Sequence, residues 1–384
     1  MGTMIYFNKE HDMVREAVRN FVNKEINPYV DEWEEKGIAP LGAVLKKMGN
    51  LGFLGVCYDE KYGGQGLDYW YDTVVLEELA HIKCGGIPMA IAVQTHMATP
   101  AIYEFGSEYL KQTYLKPAVS GDMIAAIAVT EPGAGSDVGS LVTTAEKQGD
   151  HYILNGSKTF ITNGTQADFL TLLARTSNDP GYHSFSLFVV PTDLPGFSVS
   201  RKLDKLGMRS SDTAELYFDN MKIPLENLIG LEGEGFIYQM KQFQHERFSV
   251  LPMTYIGAGD LIKDVVEYLK GRVVSGKPLI KKQVLRHRIV EWLTEIECLQ
   301  QLTYHIVRMK IMGRDVSKEV SMAKLFAGNL INKVADGCLQ MHGGMGFMNE
   351  MRVSRAFRDF RLLSIGAGAS EVMSDSIAKL VIDR

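Results

Sequence analysis

The sequence predicts an α+β protein in which a β domain lies between two helical domains. Apolar residues at helical spacing run through roughly the first 120 residues, short β-type runs follow to about residue 230, and helical spacing then returns. A chain of 384 residues exceeds the size of one hydrophobic core, so it should divide into several packed units. We place the predicted boundaries at residues 1–121, 122–234 and 235–384.

The first segment is predicted to begin with an amphipathic helix capped by Asn8 and ended by Pro28. Its apolar face repeats at helical spacing through Val14, Ala17, Val18, Phe21, Val22 and Ile26. Similar spacing predicts helices near residues 70–83 and 107–118.

The middle segment reads as a small barrel or sandwich. In "HYILNGSKTFIT", the dipeptide Asn155-Gly156 separates two β-type runs, which predicts a hairpin turn at that point. The runs "SFSLFVVPTD", "GFSVSR" and "AELYFDN" predict further short strands.

The last segment predicts a bundle of long helices at residues 236–269, about 279–312 and 317–342. Gly343-Gly344 should end the third of these helices. Pro252 lies inside the first, and because it has no N–H, it predicts a bend just beyond residues 246–247. A harmless break on a solvent-facing side is the alternative.

Composition narrows the function classes. The net charge of −5 and the pI of about 6.0 give no electrostatic reason to expect nucleic acid or an acidic membrane surface. The N-terminal residues show no secretory or transit character, so we expect a bacterial cytoplasmic protein or, alternatively, a mature mitochondrial matrix protein. Cys57, Cys84, Cys298 and Cys338 are far apart and form no CxxC pair, so we expect buried thiols and no metal site.

Two glycine-containing stretches are candidates for ligand binding. The backbone of "AVTEPGAGSD", residues 128–137, could wrap a ligand, although an ordinary cluster of turns is equally consistent with its composition. In "KTFITNG", Phe160 could pack on a flat ligand that Thr162 hydrogen-bonds, or Phe160 could be a core residue. "GRVVSGKP" is a failed phosphate-binding loop, because Pro278 stands where Ser or Thr is required.

Five stretches together resemble the acyl-CoA dehydrogenase family in order and spacing, over nearly the whole chain. They are "AVTEPGAGSD", "NGSKTFITNG", "KLGMRSSDTAELYFDNMKIP", "QMHGGMGF" and "RDFRLLSIGAGASE". The resemblance implies the fold of that family, with a C-terminal four-helix bundle and FAD between it and the β domain. It also implies a homotetramer built as a dimer of dimers, an acyl-CoA thioester oxidised to the trans-2-enoyl-CoA, and transfer of electrons to electron-transfer flavoprotein. Within the family, the chain looks most similar to citronellyl-CoA dehydrogenases, followed by the isovaleryl-CoA and long-chain types.

The resemblance also implies roles for individual residues. Ser136 should approach both the flavin and the pantetheine arm, Phe160 should cover the flavin ring, and Thr162 should hydrogen-bond its N5. The implied FAD contacts within the subunit are Val129, Thr130, Gly135, Ser136, Phe160, Thr162, Ala369 and Glu371. Those to a partner subunit's FAD are Arg272, Gln283, Gln340, Gly343 and Gly344. Arg247 and Gly368 join Ser136 as implied substrate contacts.

Two positions depart from the family pattern. Ser275 stands where the family usually has a Phe that packs near the adenine, and Ala369 stands in place of a Thr. Without the resemblance, Arg272 and Gln283 would read as an ordinary surface helix end.

The catalytic base is predicted to be Glu246. Many members carry the carboxylate where this chain has Ala367, which has no ionisable side chain, whereas a second group of members places it directly before an arginine, as in Glu246-Arg247 here. The backbone N–H of Ala367 should still polarise the thioester carbonyl, together with a flavin hydroxyl. The alternative is that Glu246 has no catalytic role and is a helical residue paired with a cation.

Two other classes share the fold of this family. One is a flavin monooxygenase or a nitroalkane oxidase, which oxygen uptake would reveal. The other is a non-catalytic, nucleic-acid-binding relative of the alkylation-response type, against which the pI of about 6.0 argues.

Overall fold

The structure, a computed structural model, describes residues 6–383, and a β-sheet domain separates two helical regions. The N-terminal region contains α1 Lys9–Phe21, α2 Val30–Lys36, α3 Leu41–Asn50, α4 Tyr69–Leu79, α5 Gly86–Ala92, α6 Pro100–Phe105, α7 Glu108–Leu110 and α8 Lys116–Val119. The predicted fold class, α+β with a middle β domain, is confirmed.

Helix α1 begins as its sequence predicts. The Asn8 side chain accepts hydrogen bonds from the backbone N–H groups of Glu10 and His11, and the His11 ring accepts one from the Asn8 N–H. The predicted stop at Pro28 is wrong, because Pro28 lies in a 3₁₀ turn, Asn27–Tyr29, that leads into α2. The predicted helix at 107–118 is divided, since the π-helical stretch Lys111–Leu115 separates α7 from α8.

Eight strands form the sheet of the middle domain in the order β6-β7-β3-β2-β4-β5-β8, and β1 pairs in parallel with β4. Their bounds are β1 Ala125–Ala128, β2 Thr144–Gln148, β3 His151–Thr162, β4 Phe169–Arg175, β5 Phe185–Pro191, β6 Phe197–Lys202, β7 Thr213–Pro224 and β8 Leu228–Ile229. Alternate residues of β4 pack on different cores: Phe169 and Leu173 face the N-terminal helices, whereas Leu170 and Leu172 face the β core.

The hairpin predicted at Asn155-Gly156 is wrong. Strand β3 runs straight through this dipeptide, and the chain reverses between Gln148 and His151 instead. Gly156 lies at an irregularity in the pairing of β3 with β7, and a Cβ there would lie 2.5 Å from the Thr143 Oγ1. The glycine is therefore needed for close packing rather than for a turn.

The C-terminal region contains α9 Gly235–Gly271, a small hairpin of β9 Val273–Val274 and β10 Lys277–Pro278, then α10 Gln283–Ile311, α11 Ser317–His342, α12 Arg352–Phe360 and α13 Ser370–Val381. The predicted helices at 236–269 and 317–342 are confirmed. The helix predicted from residue 279 begins four residues later, because Leu279–Lys281 form a 3₁₀ turn.

Pro252 is buried inside α9, which continues through it without a break. The alternative of a solvent-facing break is therefore wrong, while the bend stays a prediction. All four cysteines are free thiols, but Cys57 is half-buried and Cys298 is exposed, against the expectation that all are buried. Between residues 6 and 383, no helix combines the length and the apolar character needed to cross a membrane.

One buried carboxylate ties the three regions together. Asp359 of α12 accepts hydrogen bonds from the Gly85 N–H at the start of α5, at 2.8 Å, and from the Met208 N–H of the loop before β7, at 2.5 Å. Burial, reinforced by the nearby Glu34, raises the pKa of Asp359 to about 6. Asp359 therefore bears a desolvation penalty, and its two backbone bonds connect the C-terminal region to the other two regions.

We expect Asp359→Ala to lower the free energy of unfolding by about 2–5 kcal/mol, because two buried N–H groups lose their acceptor. Chemical denaturation of the variant and of Glu350→Ala, an exposed carboxylate just before the same helix, measures the difference. Equal stability of the two variants would show that the Asp359 bonds do not hold the domains.

Candidate active site

Glu246 lies on α9, next to Arg247, which approaches the turn at Ala367 and Gly368. Burial raises the pKa of its carboxyl group to about 7, while the positive charges of Arg247 and Lys324 oppose that rise. No ion pair within 4.0 Å engages its carboxylate among residues 6–383, so the alternative that Glu246 is only a helical residue paired with a cation gains no support. A carboxylate that titrates near neutrality is suited to general-base catalysis.

The turn after α12 presents its backbone on the same side of the molecule. Ala367 has φ of 56° and Gly368 has φ of 92°, both in the left-handed region, which costs an alanine roughly 1–2 kcal/mol. Such strain at a non-glycine residue is typical of functional sites, where it directs a backbone group. The carbonyl of Gly368 accepts a short hydrogen bond from the Lys324 Nζ of α11.

Arg247 connects Glu246 to this turn. A Cβ placed on Gly368 would lie 3.8 Å from the Arg247 Nε, so the guanidinium lies beside the turn. This Nε is buried, and no hydrogen-bond acceptor reaches it in the part of the chain that the structure describes. A buried donor without a partner indicates a group that a ligand satisfies.

The loop at residues 128–137 is held by a buried ion pair that sequence reasoning missed. The Lys158 Nζ lies 2.9 Å from a Glu131 carboxylate oxygen and also donates to the carbonyl of Val129 at 2.8 Å. Glu131 in turn accepts hydrogen bonds from the N–H groups of Val142 and Thr143. The pair therefore fixes Val129 and Thr130, while Gly135 and Ser136, farther along the loop, are exposed.

Phe160 is an aromatic side chain displayed in solvent, with 69% of its surface exposed. The core alternative is therefore wrong. Its φ is 60°, and the pairing of β3 with β7 is irregular between Lys158 and Ile161, so a bulge turns the ring outward. Thr162 resumes the regular pairing opposite Thr213 and is half-buried. An exposed, strained aromatic residue beside a pinned loop is a platform for a flat ligand.

A separate surface carries the residues expected to contact a partner's cofactor, namely Arg272, Gln283, Gln340, Gly343 and Gly344. All five are exposed. Tyr268 joins the two parts of this surface, because its hydroxyl donates to the carbonyl of His342 and its carbonyl accepts from the N–H of Arg272. No hydrogen bond or ion pair between residues 6 and 383 connects these five to Glu246, and their contact with a partner's cofactor stays a prediction.

Ala369 and Glu371 line an open cavity of about 510 Å³ at the start of α13, together with Asn332 and Arg361. A dinucleotide cofactor requires such room, a flat platform and close approach to the backbone. Phe160 supplies a flat, exposed ring, and on the separate surface expected to meet a partner's cofactor a Cβ at Gly343 or Gly344 would meet nothing within 4 Å, which leaves that backbone accessible. The residues present therefore fit FAD. Ser275, with φ of 51° in the β9–β10 hairpin, supplies no aromatic contact to it.

Comparison with known proteins identifies the family. The N-terminal, middle and C-terminal domain models of acyl-CoA dehydrogenases match residues 8–122, 126–221 and 233–382. An acyl-CoA dehydrogenase of Bacillus subtilis is 36% identical over 98% of this chain and 99% of its own length. The mitochondrial long-chain specific acyl-CoA dehydrogenase of Sus scrofa is 35% identical over 100% of this chain and 89% of its own length. A crystal structure of the acyl-CoA dehydrogenase from Geobacillus kaustophilus superposes with a TM-score of 0.95 at 40% identity, covering 99% and 100% of the two chains.

The raised pKa of Glu246 predicts an acidic limb in the pH profile of kcat/KM. The carboxylate must be ionised to accept a proton, so kcat/KM should fall about tenfold per pH unit below a pH of about 7. The phosphate of CoA titrates near pH 6, so an acyl-pantetheine substrate, which lacks that phosphate, is the control. A flat profile from pH 5.5 to 8 with both substrates would contradict the assignment of Glu246 as the base.

Proposed function

The chain belongs to the acyl-CoA dehydrogenase family, and we propose that it oxidises a branched or medium- to long-chain acyl-CoA, with Glu246 as the base. It is an acyl-CoA dehydrogenase, an oxidoreductase of an FAD-dependent family. The observation that carries the proposal is the placement of a half-buried carboxylate, whose pKa is raised to about 7, beside a turn whose own residue, Ala367, has no carboxylate.

The protein groups divide the proposed reaction between them. The Glu246 carboxylate removes the α-proton of the thioester, and the Ala367 N–H donates to the thioester carbonyl, on which negative charge develops. A preorganised donor of this kind contributes roughly 3 kcal/mol to transition-state stabilisation and requires no side chain. The unpartnered Arg247 Nε is the proposed substrate contact beside Gly368.

FAD, when bound, supplies the acceptor for the hydride that leaves the β-carbon. In support, a glutaryl-CoA dehydrogenase from Mycobacterium smegmatis was solved in complex with FADH2 and shares 28% identity and a TM-score of 0.92 with this chain. We propose that Phe160, Thr162 and Ser136 face the flavin, that Val129, Thr130 and Gly135 position their loop against it, and that Ala369 and Glu371 hold it from the start of α13.

The substrate preference is proposed from the space beside the reacting carbons. Ala367 carries only a methyl group where other family members place a carboxylate, so an acyl branch has room there. Relatives span several classes, since a short-chain specific enzyme from Clostridium acetobutylicum is 36% identical to this chain. The citronellyl- or isovaleryl-like preference therefore rests on the sequence resemblance and on the small Ala367 side chain.

We propose two kinds of partner, an electron-accepting flavoprotein and further copies of this chain. One chain of the solved structure described as the electron transferring flavoprotein of Acidaminococcus fermentans shares 33% identity and a TM-score of 0.94 with this protein, which supports such a flavoprotein as the electron acceptor. Exposed apolar residues, including Val273, Val284 and Phe347, surround the Arg272 surface and support assembly into a homotetramer. The location, in the bacterial cytoplasm or the mitochondrial matrix, stays a prediction.

Anaerobic titration of the flavin-loaded protein against a panel of acyl-CoAs tests the substrate class. We expect branched and medium- to long-chain thioesters to bleach the flavin absorbance, and short straight chains to bleach it less. Failure of every thioester to bleach it would contradict the proposed activity. Rapid oxygen consumption on addition of substrate would favour the oxidase alternative.

Arg272→Ala should purify partly as apoprotein, because removing a cation from a pyrophosphate contact discards charge-assisted bonds of about 1.5–3 kcal/mol. The flavin-to-protein absorbance ratio measures occupancy. Lys270→Ala is the matched control, since Lys270 is an exposed cation of the same helix end, paired with Glu267. Full flavin content in an intact Arg272→Ala oligomer would show that this surface does not contact the cofactor.

A further inference from the structure

Lys324 is a lysine buried in the interior of the C-terminal region, with 1% of its surface exposed. It lies on α11, and its Nζ donates a short hydrogen bond to the carbonyl of Gly368. No carboxylate forms an ion pair with it within 4.0 Å among residues 6–383. A buried ammonium group is costly unless its charge is compensated, so its retention calls for an explanation.

The charges around Lys324 come from two other helices. Glu246 and Arg247 approach from α9, and Glu371 from α13. Burial lowers the pKa of Lys324 to about 8, with Glu246 and Glu371 opposing and Arg247 reinforcing the change. Lys324 is thus largely charged at neutral pH, and Glu246 is the neighbouring carboxylate with the greater effect on it.

The hydrogen bond from Lys324 holds a residue next to the proposed oxyanion donor. Gly368 directly follows Ala367, whose left-handed backbone directs the N–H that is proposed to polarise the thioester. A hydrogen bond to the Gly368 carbonyl restricts rotation of the peptide that follows Gly368, and so limits the movement of the turn. The same ammonium group therefore binds the residue next to the proposed oxyanion donor and acts electrostatically on the proposed base.

We propose that Lys324 is a positioning residue that holds the Ala367–Gly368 turn through the Gly368 carbonyl and, by its charge, favours the ionised form of Glu246. This inference rests on the proposed function, in which Glu246 is the base. A purely structural lysine would hold the turn without affecting the ionisation of Glu246, and this difference is measurable.

Four variants separate the two roles. Lys324→Met removes the charge and the donor, Lys324→Gln keeps a donor without the charge, and Lys324→Arg keeps both. Lys333→Met is the matched control, because Lys333 is an exposed lysine of the same helix that pairs with Glu295. Flavin content and the thermal midpoint establish that each variant is folded and loaded.

The first measurement is the pH profile of kcat/KM with an acyl-pantetheine substrate. We expect the acidic limb to move upward by at least half a pH unit in Lys324→Met and Lys324→Gln, and to stay in place in Lys324→Arg and Lys333→Met. An upward shift follows because the loss of a positive charge makes ionisation of Glu246 harder. If Lys324→Met fails to fold, Lys324→Gln carries the same test.

The second measurement does not depend on turnover. Infrared difference spectra across a pH series report the protonated carboxyl group of Glu246, which is assigned by its absence in Glu246→Gln. We expect protonation to persist to higher pH in Lys324→Gln than in the parent. An unchanged limb and an unchanged carboxyl titration in both uncharged variants would overturn the proposal. If no acyl-CoA bleaches the flavin of the parent protein, the proposed function fails instead. The infrared titration still decides whether Lys324 influences the ionisation of Glu246.

Discussion

The arrangement of the site depends on the buried Asp359 carboxylate, which binds backbone N–H groups of both other regions from its place on α12. The proposed flavin platform belongs to the β domain, whereas Glu246 and the Ala367 turn belong to the C-terminal helices. No single region contains the whole site, so its geometry is only as well defined as the packing between regions. Burying this carboxylate costs desolvation free energy, as its raised pKa shows, and the two hydrogen bonds from backbone N–H groups offset that cost.

Within that arrangement, helix α9 supplies the side-chain chemistry and the turn at Ala367 supplies the backbone chemistry. The helix wall carries the proposed base, Glu246, whose pKa desolvation raises to about 7. The turn contributes only backbone groups, which explains why glycine and alanine suffice between Gly366 and Ala369. Proton transfer requires reach and a suitable pKa rather than a particular position in the chain, so moving the base from the turn to the helix preserves the chemistry while enlarging the space near the acyl group.

Local signals in the sequence predicted most of the helices but few of the contacts. The Asn8 cap and the glycines after His342 act within a few residues, and both were read correctly. Asn155-Gly156 wrongly predicts a turn, because Gly156 is required for close packing against Thr143, which is a nonlocal contact. The outward bulge at Phe160 and the bond between Lys324 and Gly368 depend on distant partners, so no local pattern predicts them. Glu246 was found only because the resemblance pointed to it.

The central claim, that Glu246 is the base, is tested most directly by Glu246→Gln in the flavin-loaded enzyme. The amide keeps the size of the side chain but accepts no proton, so the rate of flavin reduction by acyl-CoA should fall by about 10²–10⁴-fold with flavin content unchanged. Exchange of the α-proton of a 3-thia-acyl-CoA into D₂O should fall in parallel. Glu267→Gln, an exposed carboxamide substitution on the same helix, should leave both rates as in the parent. Flavin reduction by Glu246→Gln at a rate near that of the parent would contradict the account.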